Sequence, residues 1–169
     1  MTDRAEHIKA ARVKYDSYDT VDWEKAGFDE FSGGYMVYHR EHRFDPSIGK
    51  FGIPRGDYEK NASEVLVKYG MSVILESEIS EDGIKTPDGL LNDALFDIKG
   101  IEGKSKRIIK DKISEASKQG VEIAVLYFHD ESMFNVDFVR EGYDKYLINS
   151  KSKRVKKVYC IVGKQIHRI

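Results

Sequence analysis

The chain has 169 residues, 40% hydrophobic and 34% charged, with a formal net charge of -1. That length supports a core without cross-links, and the lone Cys160 excludes an internal disulfide or a cysteine-based zinc finger. No apolar run approaches the roughly 20 residues needed to cross a bilayer, and residues 1–14 are charged and hold no signal-peptide core, so the expected setting is a reducing, cytoplasmic one. The near-zero net charge hides an asymmetry: residues 1–31 carry eight acids against five bases, residues 99–118 seven bases against three acids, and residues 150–169 seven bases and no acid. A polyanion lying across the second half is one reading of that pattern, and a solvated face is the other.

Along the chain, residues 5–14 form a short helix with a weak apolar stripe of Ile8, Ala11 and Val13, and residues 16–32, which show no period, are expected to be irregular. Residues 35–39 read as a strand, and residues 44–56, rich in Gly and Pro, as a loop. Asp57 is a candidate N-cap for a helix in which Tyr58, Ala62, Val65, Leu66 and Tyr69 recur at helical spacing until Gly70 stops it. A buried strand over 71–75 and a polar connection over 76–85 follow. Residues 86–91 and 94–99, apolar with interspersed charges, flank Asn92-Asp93 and predict a β-hairpin with a two-residue loop. A second helix over 104–119 turns Ile109, Ile113 and Ala116 inward and ends at Gly120. The run VEIAVLYF at 121–128 predicts a central strand covered on both faces. A third helix over 134–147 carries Val136, Val139, Tyr143 and Tyr146 on one side, and residues 155–169 hold a strand, a turn at Gly163 and a last strand. The fold class is α/β, a mixed sheet of four or more strands flanked by helices. It is expected as one domain over 1–169, with its core at 57–128, an N-terminal extension over 1–56 and a C-terminal helix and strands over 129–169.

The hairpin carries the chemistry. Its register sets Leu91 opposite Ala94 and therefore Asp88 opposite Asp97, and the two-residue period of a strand puts Lys99 on the same face. Like charges facing each other across a strand pair repel, and a divalent cation held by hard oxygen ligands is the simplest relief. Asp88 also belongs to TPDG, a turn sequence in its own right. Asp97 and Lys99 alone would read as a salt bridge on an edge strand. Within residues 38–43, an extended backbone puts His39 and Glu41 on one face and turns Arg40, His42 and Arg43 away, so no compact His-Glu-His site is implied. Tyr35, Tyr38, Tyr127 and Tyr159 fall on faces that would stack bases or fill a core, and most such aromatics fill the core. His129 reads as a loop residue and Cys160 as core. No GxGxxG, P-loop, HExxH or GxSxG pattern occurs.

The order helix, strand, strand, strand, helix, strand over 57–128, with Pro87-Asp88 before Asp97-Ile98-Lys99, resembles the core of the PD-(D/E)xK nuclease superfamily, a restriction-endonuclease-like fold. The wider stretches YEKNASEVLVKYGMSVILESE and KTPDGLLNDALFDIKG, with a basic helix ending in KQG, are similar to the C-terminal nuclease toxin domains of contact-dependent growth inhibition proteins and to related phage and mobile-element domains. The resemblance spans residues 33–128. It implies a metal-dependent endonuclease in which Asp88 and Asp97 bind a divalent ion, Mg2+ foremost with Mn2+ or Zn2+ as alternatives, and Lys99 stabilises the phosphate charge. It further implies a helix-borne acid as a further metal ligand, Glu59 with Glu64 as the alternative, and a polar Gln119 near the site. His42, Arg43 and Gln119, along with Lys104, Lys106, Arg107 and Lys110 and the basic run Lys151 to Lys157, are the expected substrate contacts. The implied substrate is RNA such as tRNA, or DNA, and a toxin of this kind implies a cognate immunity protein. Two alternatives stand beside this reading: a DNA-directed repair or restriction-type nuclease, and a non-catalytic binding or structural protein of a mobile element that keeps the fold.

Overall fold

The computed structural model describes residues 3–77, 86–151 and 153–169. Eight strands pair in chain order into one sheet. Helix α1, Asp3–Ser17, leads into β1, Trp23–Phe28, and β2, Tyr35–His39; then come α2, Gly56–Lys68, β3, Ser72–Leu75, β4, Gly89–Leu91, and β5, Ala94–Gly100. Helix α3, Lys106–Lys118, β6, Ile123–Phe128, α4, Val136–Asn149, β7, Lys157–Val162, and β8, Gln165–Arg168, complete the fold. The pairs β2/β3, β5/β6 and β6/β7 are parallel and the rest antiparallel, so the sheet is mixed, as the sequence predicts. No helix among the described residues is long and apolar enough to cross a membrane.

Each strand sends alternate side chains to opposite faces. Val73, Leu75, Phe96, Ile98, Val125 and Tyr127 pack beneath α2 through Tyr58, Ala62, Val65 and Leu66. The opposite face carries two separate clusters. Ala124, Leu126 and Phe128 pack with Ile109, Ile113 and Tyr146 of α3 and α4, whereas Tyr35, Val37 and Ile74 pack with Ala11 of α1. Between them, over β4 and β5, that face is less covered and Leu95 is 44% exposed. Strand β6 is buried along its whole length, in agreement with its unbroken apolar run.

The hairpin has the predicted register, Leu91 opposite Ala94 and Gly89 opposite Phe96. Asn92 and Asp93 take φ of 47° and 68°, the left-handed pair that a tight hairpin turn requires. Its first strand is shorter than expected, starting at Gly89 rather than residue 86. The cause is local. The next hydrogen-bonded position belongs to Pro87, which has no N–H to donate, and the Ile98 N–H donates instead to Asp88 Oδ2 at 2.6 Å.

Three expectations are corrected. Residues 16–32 are not irregular: β1 lies within them, an edge strand with a register shift between Lys25 and Gly27 and no fully buried residue, so its sequence shows no clean alternation. Asp57 is not the N-cap of α2; Arg55 holds that position without a side-chain cap, and Asp57 and Glu59 lie in the first turn, where carboxylates oppose the helix dipole. The extended backbone assumed through residue 43 ends at His39, where a turn closed by His42 N–H to His39 O at 2.9 Å swings His42 inward. Most of the polar connection over 76–85 lies outside the described residues.

Gly89 marks a tight contact beside the hairpin: a β-carbon there would lie 1.8 Å from the backbone oxygen of Ile74 on β3. The Gly89→Ala variant is expected to lose about 1–3 kcal/mol, read as a lower denaturant midpoint at unchanged m-value, since the obstacle is backbone and cannot rotate away.

Candidate active site

Two aspartates meet where β4 begins and β5 runs beside it. Asp97 is 2% exposed and Asp88 8%, both deep for carboxylates. Asp97 Oδ2 lies 2.7 Å from Lys99 Nζ, one pleat along the same strand and face. Gln119, just past α3, completes this group. In the orientation that satisfies its amide, the nitrogen donates to Asp97 Oδ2 at 2.8 Å and Oδ1 at 3.0 Å, and its oxygen accepts from Lys99 Nζ at 3.3 Å. Gln119 thus holds the carboxylate and the ammonium at once.

Burial raises the Asp88 carboxyl well above the usual range, and the charges of Asp97 and Glu59 and a hydrogen bond with Asp97 act in the same direction, against the Ile98 N–H. The Asp88 carboxyl is thus held toward its neutral form by burial and by the acids beside it. Burial works against the charge on Lys99, but Asp97 foremost, with Asp88 and Glu115, outweighs it and raises its pKa. Lys99 stays an ammonium.

A second polar chain reaches the same place from α2. His42, its side chain fully buried, has Nδ1 2.8 Å from the Glu76 carbonyl oxygen and Nε2 2.8 Å from Glu59 Oε2. A carbonyl only accepts, so Nδ1 carries a hydrogen, and the close approach of Nε2 to Glu59 requires another proton between them. The backbone then closes the circuit: Glu76 N–H donates to Asp88 O at 2.9 Å. Glu59 is the helix-borne acid that acts on Asp88. Glu64, the alternative, is exposed and faces cavities on the outer side of α2.

The other sequence-predicted contacts are not gathered here. Arg43 is exposed. Lys104, Lys106 and Arg107 lie at the far end of α3 from Gln119, about 20 Å along a thirteen-residue helix. Lys106 pairs with Glu141 and Arg107 with Asp111, so part of that basic stripe is neutralised within the fold. His129 accepts or donates at 2.9 Å to the Tyr127 hydroxyl and stacks on Phe51, so it is fixed by packing. Cys160 is buried, and burial pushes its thiol up to about 12, which makes it inert. Sequence reasoning treated His42 separately from Glu59; a ring and an acid seventeen residues apart carry no joint signal until the turn at 39–42 is known.

Among the described residues, no group of three His, Cys, Asp or Glu side chains stands ready to hold a metal ion. The donor chemistry fits a hard cation in a more limited way. Two buried carboxylates, Asp88 and Asp97, can supply oxygen ligands, and Mg2+ typically uses only one or two protein carboxylates, taking its other ligands from water and substrate phosphate.

No family model and no curated protein matches the chain. Among solved structures, it is similar to a chain of the CdiA-CT/CdiI toxin and immunity complex from Burkholderia pseudomallei, with a TM-score of 0.50 and 21% identity over 68% of this chain and 83% of that one. The likeness is one of fold.

Because Asp88 titrates higher in the folded state than in the unfolded one, its full contribution is present below the ordinary carboxylate range and is lost as pH rises through the raised value. Asp88→Asn keeps an acceptor for Ile98 N–H and removes that loss. In EDTA, the thermal midpoint of the variant is expected to match wild type below about pH 4 and to exceed it increasingly toward neutrality; parallel curves would refute the assignment.

Proposed function

We propose that the chain is a divalent-metal-dependent endonuclease that hydrolyses phosphodiester bonds of nucleic acid, acting as a toxin in the cytoplasm of a target cell and matched by an immunity protein. The observation that carries this reading is the pair of buried aspartates, Asp88 and Asp97, gathered beside Lys99 and Gln119. A divalent ion bound there would favour the ionised form of Asp88, activate water and draw charge from the phosphate. Asp88 and Asp97 would be its ligands, with Glu59 next to them.

The chain's own residues account for the remainder. Lys99, kept protonated by Asp97, is suited to neutralise charge that develops on the phosphate rather than to take a proton from water. Gln119 fixes the Asp97 carboxylate and the Lys99 ammonium against each other, so both meet the substrate already oriented. His42 anchors Glu59 and ties it to the end of β3. The toxin and immunity parts of the proposal draw support from the fold likeness to a chain of a toxin and immunity complex. RNA such as tRNA is placed ahead of DNA on the sequence resemblance to nuclease toxins.

The decisive experiment offers tRNA and supercoiled DNA side by side to the purified chain with Mg2+, Mn2+ or Zn2+. Cleavage by wild type is expected in at least one arm. Asp97→Ala should abolish it, Lys99→Ala should lower it about 10²–10³-fold as for loss of one preorganised charge donor, and Gln119→Ala about 10–100-fold, all with an unchanged far-UV spectrum. A folded wild type that cuts neither substrate with any of the three ions sinks the reading.

Binding carries its own signature. Titration calorimetry at neutral pH in buffers of different ionisation heat should show release of about one proton per ion bound, lost in Asp88→Asn.

A further inference from the structure

We propose that the cavity between β1, β2 and α2 receives one unstacked base of a single-stranded nucleic acid, with Lys60 and Lys68 on the flanking phosphates. The proposal rests on the nuclease reading and narrows its substrate to strands or loops with unpaired bases. The cavity measures about 440 Å³, and Tyr38 and Phe44 line it along with Lys60 and Lys68 and the acids Asp29 and Glu64. That volume lies within the ordinary range of ligand sites.

The lining offers a nucleotide an aromatic wall and two lysines. Tyr38 and Phe44, set edge to face, form an aromatic wall against which a base can pack, whatever its identity, while Phe28 turns its ring to the other face of the sheet against Tyr15 and Tyr35. Lys60, Glu64 and Lys68 recur every fourth residue, so they share one face of α2 and border the cavity over about 12 Å. Lys60 Nζ sits 4.6 Å from the Phe44 ring centre, which holds a positive charge at the aromatic wall. A phosphate on either side of the base would meet a lysine. Asp29 and Glu64 repel phosphate, so the phosphates are confined to the lysines, and both offer acceptors to the N–H groups of a base edge.

The cavity is coupled to the candidate active site by direct contact. The Phe44 ring lies 4.7 Å from that of His42, and His42 holds Glu59 at 2.8 Å. A strand that brings a phosphate to Asp88 and Asp97 therefore has a neighbouring base pocket on the Glu59 side. Paired bases stacked within a duplex cannot enter it, whereas the splayed bases of a loop can.

The test is a fluorescence anisotropy titration of the full chain in EDTA, where cleavage is blocked. The probes are a short labelled single-stranded RNA, the same sequence as single-stranded DNA, and the blunt duplex. The RNA and DNA strands share the stacking and phosphate chemistry, and comparing them reads any contact to the 2′-hydroxyl. Single strands are expected to bind at least about tenfold tighter than duplex, and Phe44→Leu to weaken them about tenfold, the scale of one lost stacking contact. Because Phe44 touches His42, the surface double variant Lys60→Ala/Lys68→Ala provides an independent arm and should weaken single-strand binding about as much while leaving duplex binding unchanged. Equal binding of duplex and single strands, or a double variant that binds single strands like wild type, overturns the proposal. Cleavage assays with Mg2+ on the same proteins separate the two levels: wild-type-like cutting by the double variant removes the base pocket and leaves the nuclease, while a folded wild type that neither binds nor cuts any substrate removes both.

Discussion

The site is organised around two buried carboxylates set side by side. Asp88 and Asp97 are brought together by the register of the hairpin, which pushes the Asp88 carboxyl above its usual range, and the fold answers Asp97 with an ammonium and an amide. Such an arrangement is costly for stability alone, because neutral or apolar residues would fill the same space without a raised pKa. It makes physical sense as a place prepared for positive charge. The surrounding parts serve that end: Lys99 and Gln119 fix Asp97 from β5 and α3, and the Ile98 N–H fixes Asp88.

Much of the architecture was legible in the sequence because it rests on local signals. Asn92-Asp93 set the turn and with it every pairing in the hairpin; Gly70 and Gly120 stop their helices at positive φ; and the apolar run of β6 announces a strand buried on both sides. Strand β1 was hidden since it lies at an edge, half covered by α1, with Glu24 and Lys25 breaking the alternation. The helix start was misplaced by two residues because Asp57 is a good cap by type, while the chain turns into the helix earlier, at Arg55.

The site was only partly legible, for a different reason. Asp88, Asp97 and Lys99 lie on one supersecondary unit, so spacing alone relates them. Gln119 and Glu59 come from two helices on opposite faces of the sheet, and only the resemblance to nuclease toxins pointed to them. The bond between His42 and Glu59 depends on a turn that periodicity does not encode. Net charge misled in part: the bases at the start of α3 look like a phosphate track in the sequence, yet Lys106 and Arg107 are answered by acids in the fold.

The strictly sequential strand order has a consequence for how the molecule is assembled. Each strand joins the one made just before it, and the two edges are the first strand and the last. Growth of the sheet never requires a late segment to insert between two that have already paired, so each long loop, the helical crossovers and the connection over 76–88 alike, closes onto the strand just before it. The pair that carries Asp88 and Asp97 closes through a two-residue loop, as short as the one between β7 and β8. The hairpin that carries the two aspartates is therefore among the elements best placed to form early, before the helices that will supply Glu59 and Gln119 have settled against it.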